Sequence, residues 1–514
     1  MADDPLYLDR TGEWAGLWWL PEIPDEKVPG FLRYDANGGL SLSLIGAFED
    51  RVTSNPSPGV TAYHEGTRTW EVIHGVAEQR EITLLGCIPN SSKRTIGARV
   101  KSPAKQTVTS KVAIIGAHVR SEDDPQFAGV EVSVEDLGLW AASSVFERSF
   151  GTSQGKIDGT GSISVKPVET QSVLVNGTEY RLVHTHTLPY FDQRKGETVG
   201  RMRDTISIRI VPAEPFSLSN ALHEASLVQD LISLATHRAA GVIWLQLELA
   251  GSESQLSDGK TLSGRRANVL YSPIALGKHD TMSVDHHRVF FTCDSFPFEE
   301  VLPRWREAHG RLQAATNMIL GLRYAPASFV ENNLFTAVGA AEVLHRNLCI
   351  DEKPFPQNEF TIMRDAMLMQ VPEEHRARFK AAIRNDPTLR DRLRALAERP
   401  DQEAINQLVP DADYWAKTTT QARNDLAHEG RTLNHSIDEL GAIVEVTTAV
   451  VILNILQELG LSAERQREIV LTHPKLRHTA RLSGPNPGKW TRGFNHDAIV
   501  SVANPAASKA FGER

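Results

Sequence analysis

Arg423, Asn424, Asp425 and His428 lie within the six-residue stretch R-N-D-L-A-H, inside the segment WAKTTTQARNDLAHEGRTLNH at 415–435. Apolar spacing puts the stretch at the end of a helix, with Gly430 as its stop signal. On that helix Asn424 and His428 are four apart and share a face, while Arg423 is about 140 degrees around from His428. The long arginine side chain can still swing towards the same end. His428 falls in the last turn, where the negative end of the helix favours the imidazolium. A histidine and an arginine held together suit metal-free scission of an RNA backbone. That reaction needs a base for the ribose 2′-hydroxyl, an acid for the 5′-oxygen leaving group and a cation on the phosphorane. Arginine stays charged and grips phosphate bidentately, and Asn424 could orient the histidine or the ribose. Arginine and histidine also recur at this spacing by chance, and a capped, solvated helix end reads the same way.

The elements that must position these residues divide the chain into two kinds of sequence, and the fold class expected is α+β with several domains. Up to about Asp294 the pattern alternates with period two, as in half-buried antiparallel strands. LSLSLIGAF at 40–48 is the clearest case, with DANGG at 35–39 and TSNPSPG at 53–59 as bracketing turns. Further strands are predicted at 81–88, 107–116, 130–134, 162–168, 180–188, 204–212, 242–250, 268–274 and 288–294. A helix is predicted from Ser217 to His237, ended by Gly241. Such spacing predicts a sandwich or closed barrel. Trp14, Trp18 and Trp19 either pack that sheet's core or line a ligand face. After Phe298 helical periodicity takes over, with helices predicted at 299–322, 328–349, 359–370, 373–385, 387–398, 402–408, 412–429 and 435–459. The expected division is a β-rich part at 1–297, provisionally two lobes meeting near 170, a helical bundle at 298–480 and a tail at 481–514.

The composition of the 514 residues, 41% hydrophobic and 23% charged, excludes wholesale disorder and a collagen-like chain. Net charge is -9, with the acidity in the first 300 residues, which argues against a general nucleic-acid coat. Lys475, Arg477, Arg481, Lys489, Arg492, Lys509 and Arg514 make the end basic against only Asp497 and Glu513, so a local phosphate contact or a solvated terminus is expected there. Cys87, Cys293 and Cys349 form no CxxC pattern, and a reducing compartment fits them. The acidic start, MADDPLYLDR, is unlike a leader peptide, so a cytoplasmic protein is expected. The apolar run 443–459, interrupted by Glu445, Asn454 and Gln457, reads as a helix buried in a bundle, and no membrane partner is expected.

Other chemistry finds little support. Phosphate-binding loops, a dinucleotide fingerprint, H-E-x-x-H and G-x-S-x-G are all missing from the sequence. His184 and His186 alternate on a strand at a spacing that can hold metal, but lack an acidic or thiolate partner in sequence. His286 and His287 in the D-H-H at 285–287 are adjacent, not spaced to converge. No cofactor or metal is expected.

R-N-D-L-A-H resembles the R-x(4–6)-H motif of HEPN ribonucleases, including the polar residue after the arginine and the long apolar helix that follows. LFTAVGAAEVLHRNLC at 334–349 resembles that family's second helix, with Glu342 on it, and PRWREAHGRLQAATNMILGL at 303–322 resembles the first. EWAGLWWLPEIPDEKVPGFLRYDANGGLSLSLIGAFED at 13–50 resembles the opening of the β-rich domain that accompanies Apea-like HEPN domains. Together they cover most of the chain and point to the Apea family of bacterial anti-phage abortive-infection proteins. The resemblance implies a metal-independent endoribonuclease whose R-x4-H helices face each other in a homodimer, or an assembly of dimers. It implies catalytic roles for Arg423 and His428, a supporting role for Asn424, and weaker ones for Asp425 and Glu342, each of which could instead pair with Arg423. RNA is the implied substrate, with transfer RNA the first guess, a 2′,3′-cyclic phosphate the product and a phage product the trigger. The segment at about 350–411, rich in Arg and Glu, departs from the family pattern; it reads as an accessory helical layer or as an RNA- or dimer-contacting insert. Two other readings stay open: a catalytically silent HEPN scaffold or binding module, and a β-sandwich ligand-binding protein that the bundle only oligomerises.

Overall fold

The computed structural model describes residues 4–48, 52–57, 60–64, 69–93, 103–252, 254–255, 261–262, 264–279, 281, 288–350 and 353–482. The D-H-H at 285–287, part of the turn at 53–59 and the tail beyond 482 lie outside them. The chain divides into two compact units, Met1–Arg306 and Glu307–Arg514.

The first unit is built on thirteen strands of one sheet. In chain order its elements are β1 (Gly12–Trp19), β2 (Val28–Tyr34), β3 (Leu40–Ile45), the hairpin β4 (Val52–Ser57) and β5 (Val60–His64), β6 (Trp70–Ala77), β7 (Arg80–Lys93), β8 (Lys105–Ser110), β9 (Val112–Ile115) and β10 (Phe127–Val134). There follow α1 (Leu137–Ala141), the hairpin β11 (Phe146–Ser153) and β12 (Lys156–Val165), β13 (Gln171–Val175), β14 (Thr178–His186), the hairpin β15 (Tyr190–Gln193) and β16 (Thr198–Arg201), and β17 (Asp204–Pro212). Then come α2 (Leu218–Thr236), β18 (Val242–Leu249), the short β19 (Ser254–Gln255) and β20 (Thr261–Leu262), and β21 (Arg266–Tyr271).

The strand order is β13-β14-β17-β10-β18-β21-β9-β7-β6-β1-β2-β3-β8, and β8 pairs with β7 as well as β3. That second pairing closes β7, β6, β1, β2, β3 and β8 into a six-stranded antiparallel barrel, so that β8 is no longer an edge strand. The alternation in β3 carries straight through: Leu40, Leu42 and Leu44 are buried and Ser43 is exposed. Trp14, Trp18 and Trp19 are all buried, so they pack the core and line no open face. The continuous strand expected at 107–116 is two strands. Lys111 breaks it, its N–H donating to Leu85 O at 3.0 Å, because β8 closes the barrel while β9 joins β21 in the open part of the sheet.

Two further expectations are corrected. α2 is stopped by His237, which takes the left-handed conformation (φ 53°) with its N–H on Leu234 O, and not by Gly241. Gly241 serves a close approach instead: a Cβ there would come within 2.3 Å of the Gly277 backbone. The segment 288–294 is no strand. Val289, Phe290 and Phe291 are buried, and the N–H groups of Phe290 and Cys293 donate to Ala235 O (2.7 Å) and Trp140 O (2.8 Å). The aromatic run thus covers the ends of α2 and α1, whose last carbonyls lack helical partners.

Helices follow: α3 (Phe298–Tyr324), α4 (Val330–Asn347), α5 (Gln357–Met369), α6 (Glu373–Ala382), α7 (Leu389–Glu398), α8 (Gln402–Leu408), α9 (Ala412–Glu429), α10 (Ile437–Glu458), α11 (Ala463–Thr472) and α12 (Pro474–Leu482). The α+β expectation holds, with α11 and α12 as additions. α10 has the length and apolarity to cross a bilayer, but from Leu440 to Leu456 its Leu, Ile and Val residues are buried in the bundle, with Val444 half-buried. Asn454 is tolerated there because its Nδ2 donates to Leu396 O and Val450 O, each at 2.9 Å. The 350–411 segment splits in two. α7 packs on α4 and α9, and α8 on α11, whereas α6 buries no residue and α5 only Phe360 and Leu368.

Candidate active site

α9 is defined at both ends by its own sequence. Asp411 caps it, accepting from Tyr414 N at 2.9 Å, and Gly430 ends it with φ 67° and its N–H on Leu426 O. Ala422 and Leu426 are buried in a core with Leu334 and Val338 of α4 and Leu440 and Ile443 of α10. Those contacts fix the rotation of the helix. Arg423, between the two buried positions, is half-buried, and Asn424 and His428 are exposed.

The Arg423 Nη1 donates to the Asn424 Oδ1 at 3.2 Å. This draws the guanidinium around the helix towards the face that carries His428, about 40 degrees from Asn424. Among the described residues, His428 makes no hydrogen bond or ion pair with Arg423 or Asn424. Neither carboxylate expected near Arg423 touches it. Asp425 Oδ2 accepts from Thr432 Oγ1 and from Asn434 Nδ2, both at 3.2 Å, and so ties the α9–α10 connector to the helix. Glu342 pairs with Arg392 of α7 at 3.5 Å, a contact between bundle helices.

The connector holds residues to which the sequence assigned no role. Thr432 Oγ1 lies 3.0 Å from His435 Nδ1 and accepts from Asn434 N at 3.3 Å. Beside them a groove of about 270 Å³ opens, lined by Tyr414, Lys417 and Gln421 of α9 with Asn434, His435 and Glu439. Lys417, Gln421 and His428 recur on one face of α9, within about 40 degrees of each other. The available signal was the density of polar residues between the Gly430 stop and the Ser436–Glu439 capping box.

His184 is not arranged with His186 for a metal. The His184 Nδ1 meets Asp204 Oδ2 at 3.0 Å and its Nε2 meets Ser143 Oγ at 3.0 Å, while His186 is exposed. Serine, histidine and aspartate have the connectivity of a hydrolase triad. The His184 side chain is only 4% exposed, however, and Asp204 also accepts from Val145 N at 3.3 Å. Both ring nitrogens are taken up in pinning the 142–145 loop to β14 and β17.

A family model described as ApeA N-terminal domain 1 matches residues 13–305, and one described as Apea-like HEPN matches residues 335–465. No curated protein and no solved structure matches the chain. The HEPN match takes in α9 and the core that holds it, and HEPN domains are in general ribonucleases of the nuclease and defence type. With an ApeA N-terminal domain followed by an Apea-like HEPN domain, this chain belongs to the ApeA family.

Proposed function

We propose that the protein is a metal-independent endoribonuclease that acts in the cytoplasm in anti-phage defence, with Arg423 and His428 catalytic and Asn424 supporting. One observation carries the reading: within the HEPN-matched helix, Arg423 is drawn by Asn424 towards the face of His428. In the reaction, a base removes the proton of a ribose 2′-hydroxyl and the 2′-oxygen attacks the adjacent phosphorus. The bond to the 5′-oxygen breaks, and an acid protonates that oxygen. The products are a 2′,3′-cyclic phosphate and a 5′-hydroxyl. Arg423 carries the charge that builds on the phosphorane.

Acid and base are both needed, whereas the motif of one chain offers a single histidine. A C2 pair of α9 helices supplies two, so the active form is a homodimer or an assembly of dimers. Asp425 acts through the connector and Glu342 through the packing of α4. The substrate is cellular RNA, with transfer RNA the first species to try, and the β-rich unit senses a phage product or restrains the nuclease.

The test is cleavage of total cellular RNA and transfer RNA by purified protein in chelator, with end-group analysis, for the wild type, Arg423→Ala and His428→Ala. Cyclic-phosphate ends from the wild type alone support the reading. Intact RNA with all three, or equal cleavage by folded variants, sinks it and leaves the bundle a scaffold.

A further inference from the structure

The chain Asp425–Thr432–His435 has only one consistent direction. A carboxylate at neutral pH can only accept, so the 3.2 Å contact between Thr432 Oγ1 and Asp425 Oδ2 spends the single hydroxyl proton of Thr432. Thr432 Oγ1 must then accept at its 3.0 Å contact with His435, and His435 Nδ1 is the donor. The Asn434 N–H fills the remaining acceptor site of the hydroxyl. With Nδ1 protonated, the neutral imidazole presents Nε2 as an acceptor. Among the described residues Nε2 has no partner, and His435 lines the groove.

The groove's other residues complement the parts of one RNA nucleotide. Lys417 is exposed and unpaired among the described residues, a cation for a phosphate. Tyr414 offers a ring on which a base can stack, and Gln421 an amide for its edge. The carboxylate in the lining, Glu439, is committed to the α10 cap, its Oε2 accepting from Ser436 N at 2.7 Å and from Ser436 Oγ at 3.1 Å. The volume, about 270 Å³, is at the small end for ligand sites, which suits a single nucleotide. Gln421 lies two helical turns before His428 on the same face, about 10 Å along the axis.

We propose that this groove is a substrate subsite for an RNA nucleotide flanking the cleaved linkage, with His435 Nε2 accepting from its ribose 2′-hydroxyl. The proposal rests on the ribonuclease reading and adds the residues that tell RNA from DNA beside the scissile bond. Asp425 and Thr432 are positioning residues: they hold His435 in the accepting tautomer.

The test uses the full-length protein and a cleavable RNA oligonucleotide in which a single 2′-deoxy substitution is walked through the positions around the cut. At the cleaved nucleotide itself, deoxy substitution removes the nucleophile. At one flanking position it raises KM of the wild type about fivefold to tenfold, the worth of one hydrogen bond, with kcat little changed. His435→Asn retains a donor for Thr432 while deleting Nε2, and so separates binding from loop structure. It is expected to raise KM on all-ribose RNA by the same factor and to be indifferent to the flanking deoxy substitution. Thr432→Val does likewise, and Thr432→Ser restores wild-type behaviour. If the wild type cleaves but no flanking position is sensitive, or if His435→Asn keeps the wild-type KM, the subsite is overturned while the nuclease stands. A wild type that cleaves none of the oligonucleotides overturns both.

Discussion

The Arg423 guanidinium donates to the side-chain oxygen of Asn424, its own neighbour in the chain, at 3.2 Å, while Asp425 is committed to the connector through Thr432 and Asn434. The arginine charge is therefore not cancelled by either carboxylate that the sequence puts near it. An unneutralised, half-buried guanidinium is what a phosphorane requires.

Arg423→Lys keeps the charge but loses the planar fork, and Asn424→Ala releases the guanidinium from the His428 side. Single-turnover RNA cleavage is expected to fall about a hundredfold or more in the first and by a smaller factor in the second. Because both side chains reach solvent, unfolding midpoints should stay near the wild type. Full activity in Arg423→Lys would rule out a bidentate phosphate contact.

Asp425→Ala removes the acceptor for two hydrogen bonds and frees the connector. The helical unit should lose about 1–2 kcal/mol of stability, read from urea unfolding followed by tryptophan fluorescence. Equal stability of variant and parent would mean that the connector is held by other contacts.

Thiol chemistry separates the cysteines. Burial pushes the thiols of Cys87 and Cys293 up to about 12, and both are enclosed, while Cys349 is exposed. At mildly alkaline pH a colorimetric disulfide reagent should titrate one thiol in the native protein and three after denaturation. Cys349→Ser should abolish the native signal; a signal that survives would place another cysteine at the surface.

Acid should weaken the β-rich unit through His74. Its imidazole is held below the usual value of 6.5, first by burial and further by His118, which is stacked 4.4 Å away. A depressed histidine binds its proton more readily when unfolded, so its contribution is full above 6.5 and is lost as pH falls through the folded value. The unit's thermal midpoint should drop below pH 6.5, and His74→Gln should flatten that drop. Proton NMR titration of the His74 ring gives an independent reading, and a midpoint at or above 6.5 would contradict the burial argument.

Local physics was legible in the chain itself. The leucines of β3, the Gly430 stop of α9 and the apolar circumference of α10 each follow from periodicity or a stop signal within one element, where neighbours along the sequence are neighbours in space. The grouping of Arg423, Asn424 and His428 on a helix end was readable for the same reason. What only the tertiary structure decided depends on partners far away in sequence. The closure of the barrel through β7 and β8, the use of residues 288–294 to cover helix ends, and the pinning of His184 by Ser143 and Asp204 all join segments that no local pattern relates. The same holds for the partner of Glu342, which is Arg392 and not Arg423, and for the groove between α9 and α10 that gives His435 something to face. Backbone and charged groups must find partners when they are buried, but their identity is set by how the elements pack.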